Sequence, residues 1–158
     1  THSAVLVENK LFATLDPTQR RLFLKTADDY TQYAKSQVIL IDTVGFIREL
    51  PKELVNAFRA TLEEINHSNI LLHILDASDP EISLRYNSVV KQLNDFGMGN
   101  ISRINILNKC DLINEDQSLE LQKTFNAIAV SAHKKQGFDL IVKQISSMLE
   151  NNEHLVYN

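Results

Sequence analysis

The chain has little of several residue types that would fix its class at once. Its 158 residues include one Cys, three Pro, four Gly and no Trp. The single thiol, Cys110, excludes an internal disulfide framework and offers no zinc-ligand spacing. Cysteine use of this kind indicates a reducing compartment, and we expect a cytoplasmic protein. The sequence also contains no low-complexity stretch and no internal repeat.

Two further absences narrow the range of partners. No apolar run approaches the roughly 18 residues of a membrane-spanning helix, so we expect no membrane span. The formal net charge is −4, which excludes a strong overall basic field for nucleic acid, although a local patch reaching RNA is compatible with it. With 44% hydrophobic and 23% charged residues, the composition is that of a globular domain with a core of its own.

Apolar runs and helical periodicities alternate along the chain. We predict strands at 21–26, 37–41, 69–77, 102–107 and 127–131, and helices at 51–66, 81–96, 116–124 and 137–149. The intervening stretches 11–17 and 27–36 are predicted as loop and turn. This alternation predicts an α/β fold with a mostly parallel sheet. In such folds ligands bind at the carboxyl ends of strands, and Asp42, Asn108 and Ser131 all fall there.

The first chemical signal lies at the end of the strand predicted at 37–41. Asp42 follows this buried run, and Gly45 comes three residues later. A carboxylate at the mouth of a strand can hold a hydrated Mg²⁺, and a glycine lets its N–H approach a phosphate unobstructed. The four-residue pattern is common by chance, so its value depends on the residues that accompany it.

The second signal is Asn108-Lys109-Cys110-Asp111, an N-K-x-D sequence directly after a predicted strand. The Asp111 carboxylate can accept hydrogen bonds from the N1–H and the exocyclic amine of guanine, and adenine offers neither donor there. Asn108 can tie the loop and reach the base edge, and the stem of Lys109 can lie over the ring face. Cys110 is interpreted as a bystander and not as a nucleophile.

Two other polar positions, Ser131-Ala132 and His73, have simpler interpretations as well as functional ones. Ser131-Ala132 ends the strand after the N-K-x-D sequence, where a backbone N–H can reach the guanine carbonyl oxygen. The pair is uninformative alone and gains its meaning from that position. His73 lies inside an apolar strand, and we interpret it as a core histidine with satisfied hydrogen bonds and not as a ligand.

Five stretches together resemble the GTPase domain of the HflX family, translation-factor-related G proteins that bind the large ribosomal subunit. They are LFATLDPTQRR, IDTVGFIRELP, AFRATLEE, NKCD and VSAHKKQG, and they span nearly the whole chain. The resemblance implies a three-layer P-loop NTPase-like G domain that binds GTP or GDP with Mg²⁺, with residues 1–150 as the domain and 151–158 as a C-terminal tail.

The resemblance also assigns roles by position. Thr14 would be the switch I threonine that closes on Mg²⁺ and the γ-phosphate, Asp42 would hold Mg²⁺ through water, and Gly45 would touch the γ-phosphate. The full set of implied nucleotide-binding residues is Phe12, Ala13, Thr14, Leu15, Asp16, Asp42, Thr43, Val44, Gly45, Asn108, Lys109, Cys110, Asp111, Ser131, Ala132 and His133, with Thr14 and Asp42 at the metal.

Phe46 departs from the pattern of many small GTPases, which carry a glutamine there to orient the attacking water. A phenyl ring cannot orient water, so no catalytic residue is assigned and hydrolysis is expected to be slow without a partner. The expected test is Phe46→Gln, which should slow ribosome-stimulated turnover without raising the basal rate.

A phosphate-gripping G-x-x-x-x-G-K-[ST] sequence is missing from the 158 residues, since no glycine is followed by Lys-Ser or Lys-Thr. We therefore expect a G domain without its first strand, P-loop and first helix, with weak GTP binding, no hydrolysis by itself, and reduced stability or an altered strand order. Two hypotheses stay open: a piece of a Mg²⁺-dependent GTPase, and a nucleotide-free pseudo-GTPase that serves as an interaction module.

Overall fold

The computed structural model describes residues 18–25, 35–42 and 65–153. They fall in two compact units, residues 1–64 and residues 65–158, each of which has its own sheet. No helix in the described part of the chain is long and apolar enough to cross a bilayer. The predictions for residues 1–17, 26–34 and 43–64 lie outside the described residues, and so does most of the helix predicted at 51–66; its last residues, Ile65 and Asn66, are helical.

In the first unit, two strands form an antiparallel ladder. Strand β1 is Thr18–Lys25 and strand β2 is Lys35–Asp42, and their register pairs Thr18 with Asp42 and Lys25 with Lys35. Both strands begin earlier in the sequence than predicted, and Lys35 and Ser36 belong to β2 and not to a turn. Ladder pairing explains the difference, because backbone hydrogen bonds extend a strand into polar residues that its apolar pattern does not include.

The second unit is an α/β layer structure. Its elements follow in the order β3 (Ile70–Asp76), α1 (Ile82–Asp95), β4 (Ser102–Asn108), a short 3₁₀ helix (Cys110–Leu112), α2 (Glu115–Phe125), β5 (Ala127–Ala129) and α3 (Phe138–Glu153). The strand order is β3-β4-β5, and both ladders are parallel. Parallel neighbours require crossover connections, which α1 and α2 supply.

Alternation along the strands divides the core into two clusters. Leu107 of β4 is fully buried on one face of the sheet, where it packs in a cluster with Ile82 of α1 and Phe125 of α2. Ile104 and Ile106 of the same strand point to the other face and pack with Ile141 of α3. The sheet is therefore covered on both faces, which confirms the predicted α/β architecture with helices on either side of a parallel sheet.

Helix boundaries follow local capping. Helix α2 begins with a capping box, in which Asn114 Oδ1 accepts the N–H of Gln117 and the Gln117 side chain accepts the N–H of Asn114. Helix α3 runs to Glu153, beyond the predicted end at Leu149. Strand β5 ends at Ala129, two residues earlier than predicted. The next residue, Val130, still donates its N–H to Leu107 O.

Candidate functional site

The loops after β3, β4 and β5 meet at one edge of the parallel sheet, because the carboxyl ends of parallel strands share that edge. Asn108 is the last residue of β4, whereas the sequence predicted that the strand would end one residue before it. The chain then turns sharply at Lys109, whose φ of 65° and ψ of 29° are left-handed, before the 3₁₀ helix that carries Asp111. The N-K-x-D sequence thus runs from the end of the strand, through a left-handed turn, into the 3₁₀ helix.

Asn108 joins this loop to the one after β5. Its Oδ1 accepts the backbone N–H of Ala132 at 3.0 Å. The loops are also joined through the backbone, since the N–H of Cys110 donates to Val130 O at 3.2 Å. Cys110 contributes nothing further to the edge, because its Sγ donates back to Leu107 O and the residue packs against the core. The predicted loop-tying role of Asn108 is thus met by a direct contact.

Asp111 is held by a buried hydroxyl. Ser131 Oγ donates to Asp111 Oδ1 at 2.6 Å and accepts the N–H of Lys134 at 3.0 Å, and Ser131 is 2% exposed. The hydrogen bond from Ser131 is the main reason why the pKa of the Asp111 carboxyl lies below its usual value of 3.8. The carboxylate is therefore ionised and oriented at neutral pH.

The loop after β5 is closed on itself. Ser131 and Gln136 exchange two backbone hydrogen bonds, at 3.1 and 3.0 Å, and form an isolated antiparallel bridge. Gly137 follows with a φ of 82°, and a Cβ at this position would lie 2.4 Å from Ala129 O. Only glycine fits this position without displacing β5, so Gly137 fixes where the loop returns to α3.

Lys109 has a partner that the sequence did not indicate. Its Nζ donates to Asp76 Oδ2 at 2.6 Å, and Asp76 is the last residue of β3. The hydrogen bond between the two groups lowers the pKa of the Asp76 carboxyl and raises the pKa of the Lys109 ammonium. Asp76 ends an apolar strand just as Asp42 does, and that shared pattern was the signal that could have revealed it.

A surface cavity of about 400 Å³ opens between the two loops. Its lining residues are Asn108, Lys109, Asp111, Leu112, Ala132 and His133. Five of these six were predicted from sequence, and the sixth, Leu112, is 63% exposed and was missed. Polar groups that converge on one concave surface are the usual form of a small-molecule site.

The predicted phosphate and Mg²⁺ residues have no described side chains. Asp42 is the last residue of β2, and only its backbone is described. Predicted positions that lie outside the described residues are Phe12, Ala13, Thr14, Leu15, Asp16, Thr43, Val44, Gly45 and Phe46. Within residues 18–25, 35–42 and 65–153, no three His, Cys, Asp or Glu side chains form a group that could hold a metal ion.

His73 differs from its predicted environment. Its ring stacks on Tyr86 with centroids 5.3 Å apart, but its buried Nδ1 has no hydrogen-bond partner among the described residues. The prediction of a satisfied histidine is therefore wrong on this point. Burial is the main cause that lowers the pKa of His73 to about 4, and the positive charge of Arg103 acts in the same direction.

These observations define a class of protein. A parallel sheet with helices on both faces, whose strand-end loops carry N-K-x-D and Ser-Ala at one cavity, is the architecture of a G domain, the P-loop NTPase-like fold of GTPases. A family profile described as "50S ribosome-binding GTPase" matches residues 1–109.

Curated relatives agree with the profile. The protein named GTPase HflX from Caldanaerobacter subterraneus subsp. tengcongensis is 40% identical over 99% of this chain and 34% of that protein. The one from Lacrimispora saccharolytica is 35% identical over 97% of this chain and 34% of that protein. The one from Escherichia coli is 36% identical over 73% of this chain and 25% of that protein. The chain belongs to the HflX family of GTPases.

A solved structure supports the fold independently. The crystal structure of a mutation variant of SsGBP superposes with a TM-score of 0.68 and covers 98% of this chain and 53% of that one, at 22% sequence identity. The chain spans about a third of the length of the first two curated relatives.

Proposed function

We propose that this chain binds guanine nucleotides, with the base held in the cavity between the N-K-x-D loop and the loop after β5. The observation that carries the proposal is the Asp111 carboxylate, which is ionised, oriented by Ser131 and placed on the cavity wall. Asp111 Oδ1 accepts one bond from Ser131, and an ionised carboxylate has about four lone-pair sites. It retains the capacity to accept both donors of guanine.

Selectivity follows from the same geometry. Guanine presents N1–H and an exocyclic amine side by side, and these match the two oxygens of a carboxylate. Adenine presents no donor at either position and would leave a desolvated carboxylate unpaired. Sites built around such a polar group reject the analogue that lacks the matching donor by as much as about 10⁴-fold.

The loop after β5 supplies the remaining contacts in this proposal. We expected a backbone N–H near Ala132 to reach the guanine carbonyl oxygen, and the N–H of Ala132 is held by Asn108 Oδ1 in this structure. The N–H of His133, which also lines the cavity, has no partner among the described residues. In this proposal the guanine carbonyl oxygen accepts either the N–H of Ala132, which then leaves Asn108 Oδ1, or the N–H of His133.

The phosphate and Mg²⁺ contacts that we propose for the first unit rest on sequence and on one backbone position. Asp42 ends β2, and carboxylate and hydroxyl oxygens are the hard ligands that Mg²⁺ prefers, so Asp42 and Thr14 fit this ion by donor chemistry. When bound, Mg²⁺ would neutralise charge on the phosphate oxygens. By the family resemblance, we also propose Phe12 to Asp16 and Thr43 to Gly45 as nucleotide-binding residues.

For the whole protein we propose GTP hydrolysis, binding to the large ribosomal subunit and a cytoplasmic location; hydrolysis by these 158 residues alone is not proposed, because they contain no G-x-x-x-x-G-K-[ST] sequence to grip the phosphates. The family description and the names of the curated relatives support the first two parts, and the single cysteine of the chain supports the third. Phe46 offers no water-orienting group, so the proposal includes slow hydrolysis that depends on a partner.

The test is an NMR titration of ¹⁵N-labelled chain with GDP, ADP and inosine diphosphate up to millimolar concentration. Chemical-shift changes at Asn108, Asp111 and Ala132 with GDP, weaker ones with inosine diphosphate and none with ADP are expected, because inosine lacks the exocyclic amine. Equal responses to GDP and ADP would overturn the guanine assignment. A folded chain that shows no chemical-shift change with any of the three nucleotides would favour the hypothesis of a nucleotide-free interaction module.

A further inference from the structure

The ammonium group of Lys109 binds a residue that does not line the cavity. Lys109 is one of the six lining residues, and Asp76, which binds its Nζ at 2.6 Å, is not among them. The residue thus forms part of the wall while its charged end lies on a neighbouring strand end. A lysine stem that is free in solution loses rotamer entropy when it is immobilised, and here one end is already held.

Asp76 is itself held in one orientation. Its Oδ1 accepts two bonds from Ser78, from the backbone N–H at 3.0 Å and from Oγ at 2.7 Å. Its Oδ2 is left for Lys109. The turn that contains it is joined to the N-K-x-D loop by the N–H of Ala77, which donates to Asn108 O at 2.8 Å. A short chain of hydrogen bonds therefore leads from Ser78 through Asp76 to Lys109.

Strand register explains why this contact forms. Asp76 and Asn108 are Cα partners at the last position of the β3–β4 ladder. Lys109 comes one residue later, and its left-handed backbone turns the chain at the point where β3 also ends. The carboxylate and the ammonium are thus brought together by the end of the ladder.

We propose that Asp76 is a positioning residue of the base site, which holds the stem of Lys109 as a wall against the face of a bound guanine. This inference rests on the proposed function. Asp76 does not touch the base and acts through Lys109. Ser78 contributes to the same arrangement, because its two hydrogen bonds orient the Asp76 carboxylate that binds Lys109.

The size of the effect follows from the exposure of the pair. Both side chains are partly exposed, so the ion pair is screened by solvent and is weaker than a buried one. We expect Asp76→Asn, which removes the charge and keeps the shape, to weaken GDP binding by about threefold to tenfold. Folding should change little, because Ser78 can still donate to the amide oxygen.

A double-mutant cycle tests the proposal. GDP dissociation constants are measured by NMR titration for the wild-type chain, Asp76→Asn, Lys109→Met and the double variant. Methionine keeps an apolar stem and removes the ammonium. The loss caused by Asp76→Asn should disappear in the Lys109→Met background, since Asp76 then has no group to hold. An Asp76→Asn effect of the same size in both backgrounds would overturn the proposal.

The control variant is Asp95→Asn, the same chemical change at the last residue of α1. It should bind GDP as the wild type does. The ¹H–¹⁵N signal of the Lys109 ammonium gives a readout that needs no nucleotide: it should be protected in the wild type and lost in Asp76→Asn. An unprotected wild-type ammonium overturns the positioning role while guanine binding stands. A protected ammonium in a chain that does not bind GDP overturns the proposed function and the positioning role with it.

Discussion

Asn108 Oδ1 accepts the backbone N–H of Ala132 across 24 positions of sequence, at 3.0 Å. This bond connects the ends of two adjacent parallel strands, and the two residues were predicted separately from sequence as parts of the site. The bond occupies the amide oxygen of Asn108, and both residues line the cavity. The two loops therefore form one site, and a change in either is expected to affect the other.

Replacing the proposed base-reading carboxylate should change which nucleotide binds. In Asp111→Asn, an amide N–H would face the donors of guanine, so we expect GDP binding to weaken by about 100-fold or more. Xanthosine diphosphate, which carries a carbonyl in place of the exocyclic amine, should bind the variant better than it binds the wild type. Asp116→Asn, on the first turn of α2, is the matched control and should leave both affinities unchanged. Unaltered GDP binding in Asp111→Asn would contradict the proposed base contact.

The buried hydroxyl of Ser131 should contribute to both stability and ionisation. Ser131→Ala removes the acceptor of the Lys134 N–H and should lower the free energy of unfolding by about 1 kcal/mol, as measured by urea denaturation. It also removes the main group that lowers the pKa of Asp111, so this pKa should rise towards 3.8 in a carboxyl NMR titration. Ser147→Ala, at an exposed position of α3, should show neither change. An unmoved Asp111 pKa would show that another group orients the carboxylate.

Two glycines with similar backbone angles should respond differently to alanine. Gly137 has a φ of 82° and a Cβ there would meet Ala129 O at 2.4 Å, whereas Gly97 has a φ of 75° and nothing within 4 Å. Gly97→Ala should cost about 1 kcal/mol from backbone strain alone. Gly137→Ala should cost about 3 kcal/mol in unfolding free energy, because a contact with β5 is added to the strain. Equal costs would mean that the loop after β5 moves away freely.

Acid should destabilise the fold through His73 before it protonates the carboxylates. The pKa of His73 is lowered to about 4 in the folded chain, from 6.5 for a free side chain. The unfolded chain thus binds the extra proton between these two values, and stability should fall as the pH decreases from 6.5 towards 4. The partly exposed ring limits the loss to the order of 2 kcal/mol.

Urea denaturation of His73→Gln across that range provides the check. The variant should lose most of the slope, because nothing titrates at position 73. His67→Gln, at an exposed position, should keep the wild-type slope. A His73→Gln profile parallel to the wild type would assign the acid sensitivity to other groups.

The sequence was most informative where burial is periodic. Strands β3 and β4 and helices α1, α2 and α3 were located to within a few residues, because each has apolar positions that pack in one of the two core clusters. The N-K-x-D loop and Ser131 were found because their spacing matches a chemical requirement. Lys35 and Ser36 were missed as strand residues, because their strand state comes from pairing with β1 and leaves no pattern of its own.

Contacts between side chains distant in sequence were beyond prediction. The bond between Lys109 and Asp76 spans 33 positions and depends on the register of β3 against β4, which a single sequence does not specify. The surroundings of His73, whose buried Nδ1 has no partner among the described residues, likewise depend on tertiary packing. In both cases the sequence shows the residue type but does not show which residues lie around it in the fold.

The left-handed backbone of Lys109 has a consequence for stability engineering. A lysine at this φ of 65° carries a strain of about 1 kcal/mol that a glycine would avoid. A search for thermostable variants would therefore favour glycine there, since the backbone strain is relieved and only a partly exposed ion pair with Asp76 and the cavity wall are lost. At this position the chain therefore combines about 1 kcal/mol of backbone strain with a side chain that binds Asp76 and lines the cavity, so its most stable sequence and its proposed binding sequence are not the same.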